Sequence, residues 1–176
     1  VANNFEFHDY SPQAKRKIKD LAIAWLHTWA NETAAQAKRN TSTEGWTNGE
    51  RTSLRDSYGC VVDEANLEAT VGTPMEQGFW EEFGTGSHAD TAKNGGKQGR
   101  SGWWIYTPGS EGPEGYKSRQ YATKEEAEDM AAYIKSTYNK EAVVTDGREP
   151  NYTLEKSFIA VSPKAKRDLQ NKLKGL

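Results

Sequence analysis

Apolar residues recur at three- and four-residue steps through Ile18, Leu21, Ala22, Trp25, Leu26, Trp29, Thr33 and Ala37. One such stripe predicts a single amphipathic helix of about seven turns ending near Asn40. Ser11-Pro12 ahead of it reads as an N-cap followed by proline at the first helical position. Residues 1–10 show no period and read as an arm. Residues 40–53 are turn formers and polar groups, so a loop is expected there. Alternation takes over next: Tyr58, Cys60 and Val62 share one face of Ser57–Val62, and Leu67, Ala69 and Val71 share one face of Asn66–Gly72. The short Asp63-Glu64-Ala65 connection pairs these two strands as an antiparallel hairpin. The aromatic run Gly78–Phe83 predicts a third strand, ended by Gly84-Thr85-Gly86.

Residues 88–102 interleave Gly95, Gly96, Gly99 and Gly102 with Lys93, Lys97 and Arg100, the composition of a flexible loop. Trp103-Trp104-Ile105-Tyr106 follows as a short strand, then a turn-rich stretch through Gly115. Thr123 with Glu126 is a capping box that opens a helix through Ala127, Met130, Ala131, Ile134 and Tyr138. Glu141–Thr145 completes a β-α-β insertion over 88–146. After Pro150, the residues Leu154, Phe158, Val161, Ala165, Leu169 and Leu173 form a last helical stripe, with a kink or fresh start expected at Ser162-Pro163. The class is α+β: a small antiparallel sheet packed by a long N-terminal helix and a C-terminal helix.

A chain of 176 residues and 19.6 kDa suits one domain. Only 35% of residues are hydrophobic and mean hydropathy is −0.92, so six Trp, eight Tyr and five Phe must supply the bulk of a lean core. No apolar run is long enough to span a membrane. The start VANNFEFHDY has neither the basic nor the apolar region of a signal peptide. A net charge of −2 argues against the whole chain gripping nucleic acid. The single Cys60 excludes an internal disulfide framework or a cysteine zinc cluster and suits a reducing compartment of origin.

Tests for chemistry come out negative. His8, His27 and His88 stand apart, without ligand spacing. No Gly-x-Ser-x-Gly elbow exists, and Cys60 falls on the apolar face of a strand. Glu81 and Glu82, adjacent on a strand, would point to opposite faces, one to solvent and one to a partner. Gly84-Thr85-Gly86 lacks the Gly-Lys-Ser/Thr continuation of a phosphate loop. The GGKQGR loop beside Trp103 and Trp104 has the charge and stacking surface that single-strand grooves use, a third reading ranked behind that of a solvated loop beside core aromatics. Lys164, Lys166, Arg167, Lys172 and Lys174 form an ordinary solvated helix face. The reading is therefore a non-enzyme without cofactor or metal.

Three segments carry a resemblance. Leu54-Arg55-x-Ser57 opens the hairpin, Phe79-Trp80-Glu81-Glu82-Phe83-Gly84-Thr85-Gly86 follows it, and Pro150 with Leu154 and Phe158 opens the last helix. In this order they resemble the gene-product-ten family of tailed phages, neck or tail-completion proteins of the head–tail junction. Thr52 stands where that family usually has glycine, and Tyr152 and Lys156 stand where it has prolines. The resemblance covers about residues 10–87 and 147–176 and implies a virion protein, made in the host cytoplasm, that closes into a homo-oligomeric ring through heterologous contacts. Its implied partners are further copies of itself, the connector or head-closure proteins, and a tail terminator or tail tube protein. DNA would be passing cargo only, and no membrane is involved. For subunit or partner contacts it points to Arg55, Trp80, Glu82, Phe83, Gly84, Thr85 and Gly86, and Trp103 and Trp104 join them as tryptophans, an anchor type at interfaces. The competing expectation is a glycan or cell-wall binding module that uses exposed aromatics of the 103–145 stretch.

Overall fold

Thirty residues, Ser11–Asn40, form helix α1, about 45 Å long at 1.5 Å per residue. The computed structural model describes residues 10–42, 48–107 and 119–175, and side chains from 52 onward in the second of these spans. The expected arm over 1–9, the loop over 43–47 and the turn-rich stretch over 108–118 lie outside the described residues. Leu26, Ala30, Thr33, Ala34 and Ala37 are the buried face of α1, so the predicted stripe holds in its C-terminal half. Residues 11–20 are exposed throughout. The cap differs from expectation: Tyr10 is the N-cap and makes no side-chain capping bond, while Ser11 already lies inside the helix.

The hairpin is present as β1 (Gly59–Asp63) and β2 (Glu68–Gly72), paired from Gly59↔Gly72 to Asp63↔Glu68. Asp63 shapes its turn by accepting the Ala65 and Asn66 N–H groups at 3.0 and 3.1 Å. Cys60, Val62, Ala69 and Val71 are half-buried on the inner face against α1, and the Cys60 thiol points to Asn31 Oδ1 at 3.6 Å. His27, in contrast, is exposed on α1 and meets Glu64 of the hairpin turn at 2.9 Å.

Two segments read differently in space. Asn48–Ser57 is helix α2, where a loop was expected, and its Leu54 packs with Ala37 and Tyr58 in the main core. Glu76–Phe83 is helix α3, where the third strand was expected. Its aromatics meet as helical neighbours, Phe79 with Phe83 at 5.1 Å between ring centres and Phe79 with Trp80 at 4.9 Å. Adjacent positions on a helix are about 100° apart rather than opposed, so Glu81 and Glu82 both turn inward, 0% and 8% exposed. Neither faces solvent.

The insertion builds its own small core. β4 (Trp104–Tyr106) pairs antiparallel with β5 (Val143–Thr145), and α4 (Lys124–Tyr138) covers them. Ile105, Tyr121, Ala127 and Ile134 are buried there, with Trp103 and Val144 packed against them. Thr123 caps α4 by accepting the Glu126 N–H at 3.2 Å, and the Glu126 carboxylate reaches back to the Ala122 N–H at 3.1 Å. Two very short strands, β3 (Thr85–Gly86) and β6 (Gly147–Arg148), pair antiparallel at the base of the insertion. The described strands thus form three two-stranded sheets.

Helix α5 (Thr153–Lys174) runs through Pro163 without a fresh start. The backbone donor that proline lacks would have served Ile159, at an exposed position. Its buried residues are Thr153, Ser157, Val161 and Ala165, a stripe rotated from the predicted one, with Phe158 half-exposed. α1 and α5 lie antiparallel, fastened by Asn40 to Ser157 at 2.9 Å, Glu32 to Lys164 at 2.8 Å and the Trp25 indole N–H to the Ala165 carbonyl at 2.8 Å. The class is α+β. Among the described residues, no helix is long and apolar enough to cross a membrane.

Candidate functional site

The three segments that carry the resemblance meet in one place. Leu54 of α2 is fully buried beside Tyr58 and Leu154, and Ser57 Oγ lies 2.5 Å from Thr73 Oγ1 at the entry to α3. At the other end of α3 the two glutamates receive the start of α5. Glu82 caps that helix from outside: its carboxylate accepts the Leu154 and Glu155 N–H groups at 2.7 and 3.0 Å. These are two of the N–H groups a helix leaves without intrahelical partners, and a carboxylate there also meets the positive end of the helix dipole.

Glu81 is the hub. One oxygen accepts from the Ser42 N–H at 2.6 Å, the Asn151 amide at 2.8 Å and the Thr153 hydroxyl at 3.0 Å. Its other oxygen pairs with the Arg148 guanidinium at 2.5 Å, with Arg148 itself largely buried. Asn151 also donates to the Asn40 carbonyl at 2.8 Å, so the end of α1, the end of α3, β6 and the start of α5 are joined through one carboxylate. A buried charge is tolerable when it is paired and its lone pairs are used. Tyr58 ends beside this cluster with its hydroxyl buried and lacking a well-aligned partner. Burial first, and the Glu81 and Glu82 charges second, push its ionisation well above the ordinary phenol range.

Gly84 and Gly86 explain the Gly-Thr-Gly spacing. Both have left-handed backbones, φ 73° and 65°, and a Cβ at Gly84 would fall 2.5 Å from the Arg148 carbonyl, while one at Gly86 would overlap the Asp146 carbonyl. Only glycine combines that φ with that approach. The start of α5 departs from the resembled pattern. Tyr152 is its N-cap with φ 51°, a value proline's ring forbids, and the Lys156 N–H donates to the Tyr152 carbonyl at 2.9 Å, a bond proline could not make. The customary prolines do not fit the backbone at these two positions. Tyr152 instead donates its hydroxyl to Asp90 at 2.7 Å, which holds the Asp90 carboxyl below the ordinary carboxylate range.

Beyond β3 the chain is fastened to the body. Gly86 N–H donates to the Gln98 carbonyl at 2.8 Å, Asn94 is buried and bonds both ways with Lys97, and Gly99 lies against the Trp80 ring. Within segment 88–102, expected as a flexible loop, residues 91–95 form turns, with the Lys93 and Asn94 N–H groups donating to the Asp90 carbonyl. At the base of the insertion, His88 sits between Asp146 at 3.1 Å and Glu149 at 2.7 Å, and Ser87 Oγ donates to Asp146 at 2.5 Å. The Asp146 hydrogen bond above all, with Glu149 adding to it, raises the His88 pKa; Asp146 is lowered, chiefly by Ser87.

The residues singled out from sequence therefore divide. Trp80, Thr85 and Trp104 come together with Tyr106, Arg100 and Arg148 around a cleft of about 790 Å³ between the body and the insertion. The Arg100 guanidinium stands 6.0 Å from the Trp104 ring centre. Glu82, Phe83, Gly84 and Gly86 belong to the junction just described. Trp103 faces the insertion core, with Lys124 5.9 Å from its ring centre. Arg55 stands apart on α2, partly exposed and paired with its neighbour Asp56 at 2.9 Å. Sequence reasoning missed Arg148, Asn151, Thr153 and Ser42 as partners of Glu81. The available signal was a pair of carboxylates inside an aromatic run, which had to be either exposed or paired. No family model matches the chain, and neither a curated protein nor a solved structure matches it.

Proposed function

We propose that this chain is a non-enzymatic structural protein of a tailed-phage virion, part of the neck that joins the capsid connector to the tail. The observation that carries the reading is the meeting of three separate motif segments. Leu54–Ser57, Glu82–Gly86 and Pro150–Phe158 are far apart in sequence, resemble one family in order, and meet where Leu54 packs on Leu154 and Glu82 caps α5. Both junction carboxylates are engaged, Glu82 by two backbone N–H groups and Glu81 chiefly by Asn151, Thr153 and Arg148, which ties four elements together at one point. Virion location, the ring and the connector and tail partners all rest on this reading. Its test is genetic: a phage from which the chain is deleted accumulates separate heads and tails, and the chain supplied in trans restores joined particles. Joined, infectious particles formed without it would refute the reading.

One observation favours a second reading, a glycan or cell-wall binding module. The cleft brings Trp80, Trp104 and Tyr106 beside Arg100 and Glu149, and aromatic faces flanked by polar groups stack on sugars. Titration with cell-wall fragments would then quench or shift tryptophan emission. An unchanged spectrum at saturating fragment removes it.

A further inference from the structure

Positive charge that the whole chain cancels is gathered at one end of the α1–α5 pair. Lys15, Arg16, Lys17 and Lys19 stand exposed on the first turns of α1, against one acidic neighbour, Asp20. Lys166, Arg167, Lys172 and Lys174 stand exposed on the last turns of α5, against Asp168. Taken alone, the α5 group is an ordinary solvated face. The fold sets it beside the α1 group, although the two come from opposite ends of the sequence. The helices are antiparallel and joined where the Trp25 indole N–H donates to the Ala165 carbonyl at 2.8 Å. From that contact the α1 group lies about 9–15 Å along its helix, and Lys172 and Lys174 lie about 10–14 Å along theirs, in the same direction. Packed helices run about 8–10 Å apart, axis to axis. Eight cations and two carboxylates thus share one end, and a net charge of −2 leaves the rest of the chain strongly acidic.

Nothing local accounts for this gathering. Among the described residues none of the eight has an ion-pair partner, whereas Lys164, nearer the body, is taken by Glu32 at 2.8 Å. Lys172 and Lys174 suit the C-terminal dipole of α5, but α1 has no acidic residue in its first turn, and the N-terminal end of a helix favours anions over cations. So dense a patch matches a polyanion. About 15 Å of duplex DNA carries about nine phosphate charges, close to the eight cations in number and span. Neither segment contains an aromatic ring on which the bases of a single strand could stack. The large apolar side chains exposed within them are Ile18 and Leu173, far short of the apolar face that seats a helix in a lipid surface.

We infer that the adjoining basic ends of α1 and α5 hold the phosphate backbone of double-stranded DNA without reading its sequence. Lysine and arginine on phosphates fix position and affinity but carry no sequence information. The contact goes beyond the neck reading and stands on charge and geometry; within that reading it is where the chain touches the DNA that passes.

Fluorescence anisotropy of a labelled duplex of about 20 base pairs, titrated with the full chain between about 50 and 200 mM salt, tests it. With about half of the eight cations facing one duplex, log K should fall with log salt at a slope of about −4. Two double variants, Lys15→Gln with Lys19→Gln and Lys172→Gln with Lys174→Gln, should each weaken binding about tenfold or more at the lowest salt and make the slope shallower by about one to two. All four positions are exposed, and unchanged circular dichroism confirms each fold. Lys97→Gln with Lys135→Gln removes the same charge from exposed positions elsewhere and should leave both readings as they are. No binding at about 100 μM protein in the lowest salt overturns the inference. So does a loss in one end variant but not the other, or an equal loss in the Lys97 and Lys135 variant. Tighter binding to a single strand of the same length, or to vesicles containing phosphatidylserine, assigns the end to another partner and overturns it too. A duplex of shuffled sequence bound about tenfold differently would contradict the absence of sequence reading. None of these results touches the neck reading, because a part can join head to tail without holding DNA. Failure to restore joined particles in trans removes that reading whatever the anisotropy shows.

Discussion

Glu82→Ala is the most informative single change, because it takes an acceptor from two backbone donors on another element. The carboxylate holds the Leu154 and Glu155 N–H groups at 2.7 and 3.0 Å, at the first turn of the 22-residue helix α5. Hydrogen bonds to a charged group contribute about 1.5–3 kcal/mol each. Glu82 borders an apolar groove between α1, β2 and α5, so water can reach the vacated site in part, and the lower figure applies. Two bonds at about 1.5 kcal/mol make a loss of about 3 kcal/mol. For a chain of this length, that lowers Tm by about 6–12 °C. Glu82→Gln keeps one acceptor oxygen but sets an NH₂ against the other N–H, and should lose about half as much. Thermal and urea unfolding measure the totals, and hydrogen exchange at Leu154 and Glu155 localises them to the start of α5. A Glu82→Ala protein within about 1 kcal/mol of wild type, with those two amides equally protected, would refute the capping role.

Arg148→Ala should cost about 3–5 kcal/mol in urea unfolding, since it strands the Glu81 charge at a site with no exposure; a loss below about 1 kcal/mol would mean the carboxylate is satisfied without its ion pair. Gly84→Ala should lose about 2 kcal/mol or more, because alanine meets both a φ of 73° and the Arg148 carbonyl, and an unchanged Tm would show that the 146–150 segment can move aside. The His88 clamp gives a pH dependence whose sign follows from its raised pKa. Its contribution is full below the unfolded histidine value of about 6.5 and is lost as pH rises through the higher folded value. Exchange at the Ser87 amide, which donates to the Asp146 carbonyl, should therefore outpace its intrinsic rate increase above neutral pH. His88 titrating below 6.5 by NMR would contradict the clamp.

Local patterns proved readable wherever the decisive partners lie within a turn or a hairpin. The α1 stripe, the 59–72 hairpin and the Thr123–Glu126 box depend on neighbours three, four or a few residues away, and each lies close to where the pattern puts it. α3 was unreadable for the converse reason. Its inward face holds two carboxylates whose partners come from residues 42, 148, 151, 153, 154 and 155, so burial there follows from tertiary pairing and runs against local polarity. Read as a strand, Glu81-Glu82 could not serve one site; on a helix both face the start of α5. The same cause rotated the α5 stripe, because Thr153 and Ser157 are buried by bonds to Glu81 and Asn40 rather than by apolar character. The Gly-Thr-Gly spacing was visible in the sequence, but its reason lies in the chain returning at 146–150.

Placing the chain on the particle tests the neck reading most directly. Gold-labelled antibody against the purified protein, applied to intact virions and imaged by negative stain, should mark the head–tail junction and nowhere else. Label on the capsid shell or at the distal end of the tail, or particles that carry none of the chain, would contradict it. Label at the distal tip would turn attention to the Trp80–Trp104 cleft and a role on the cell wall.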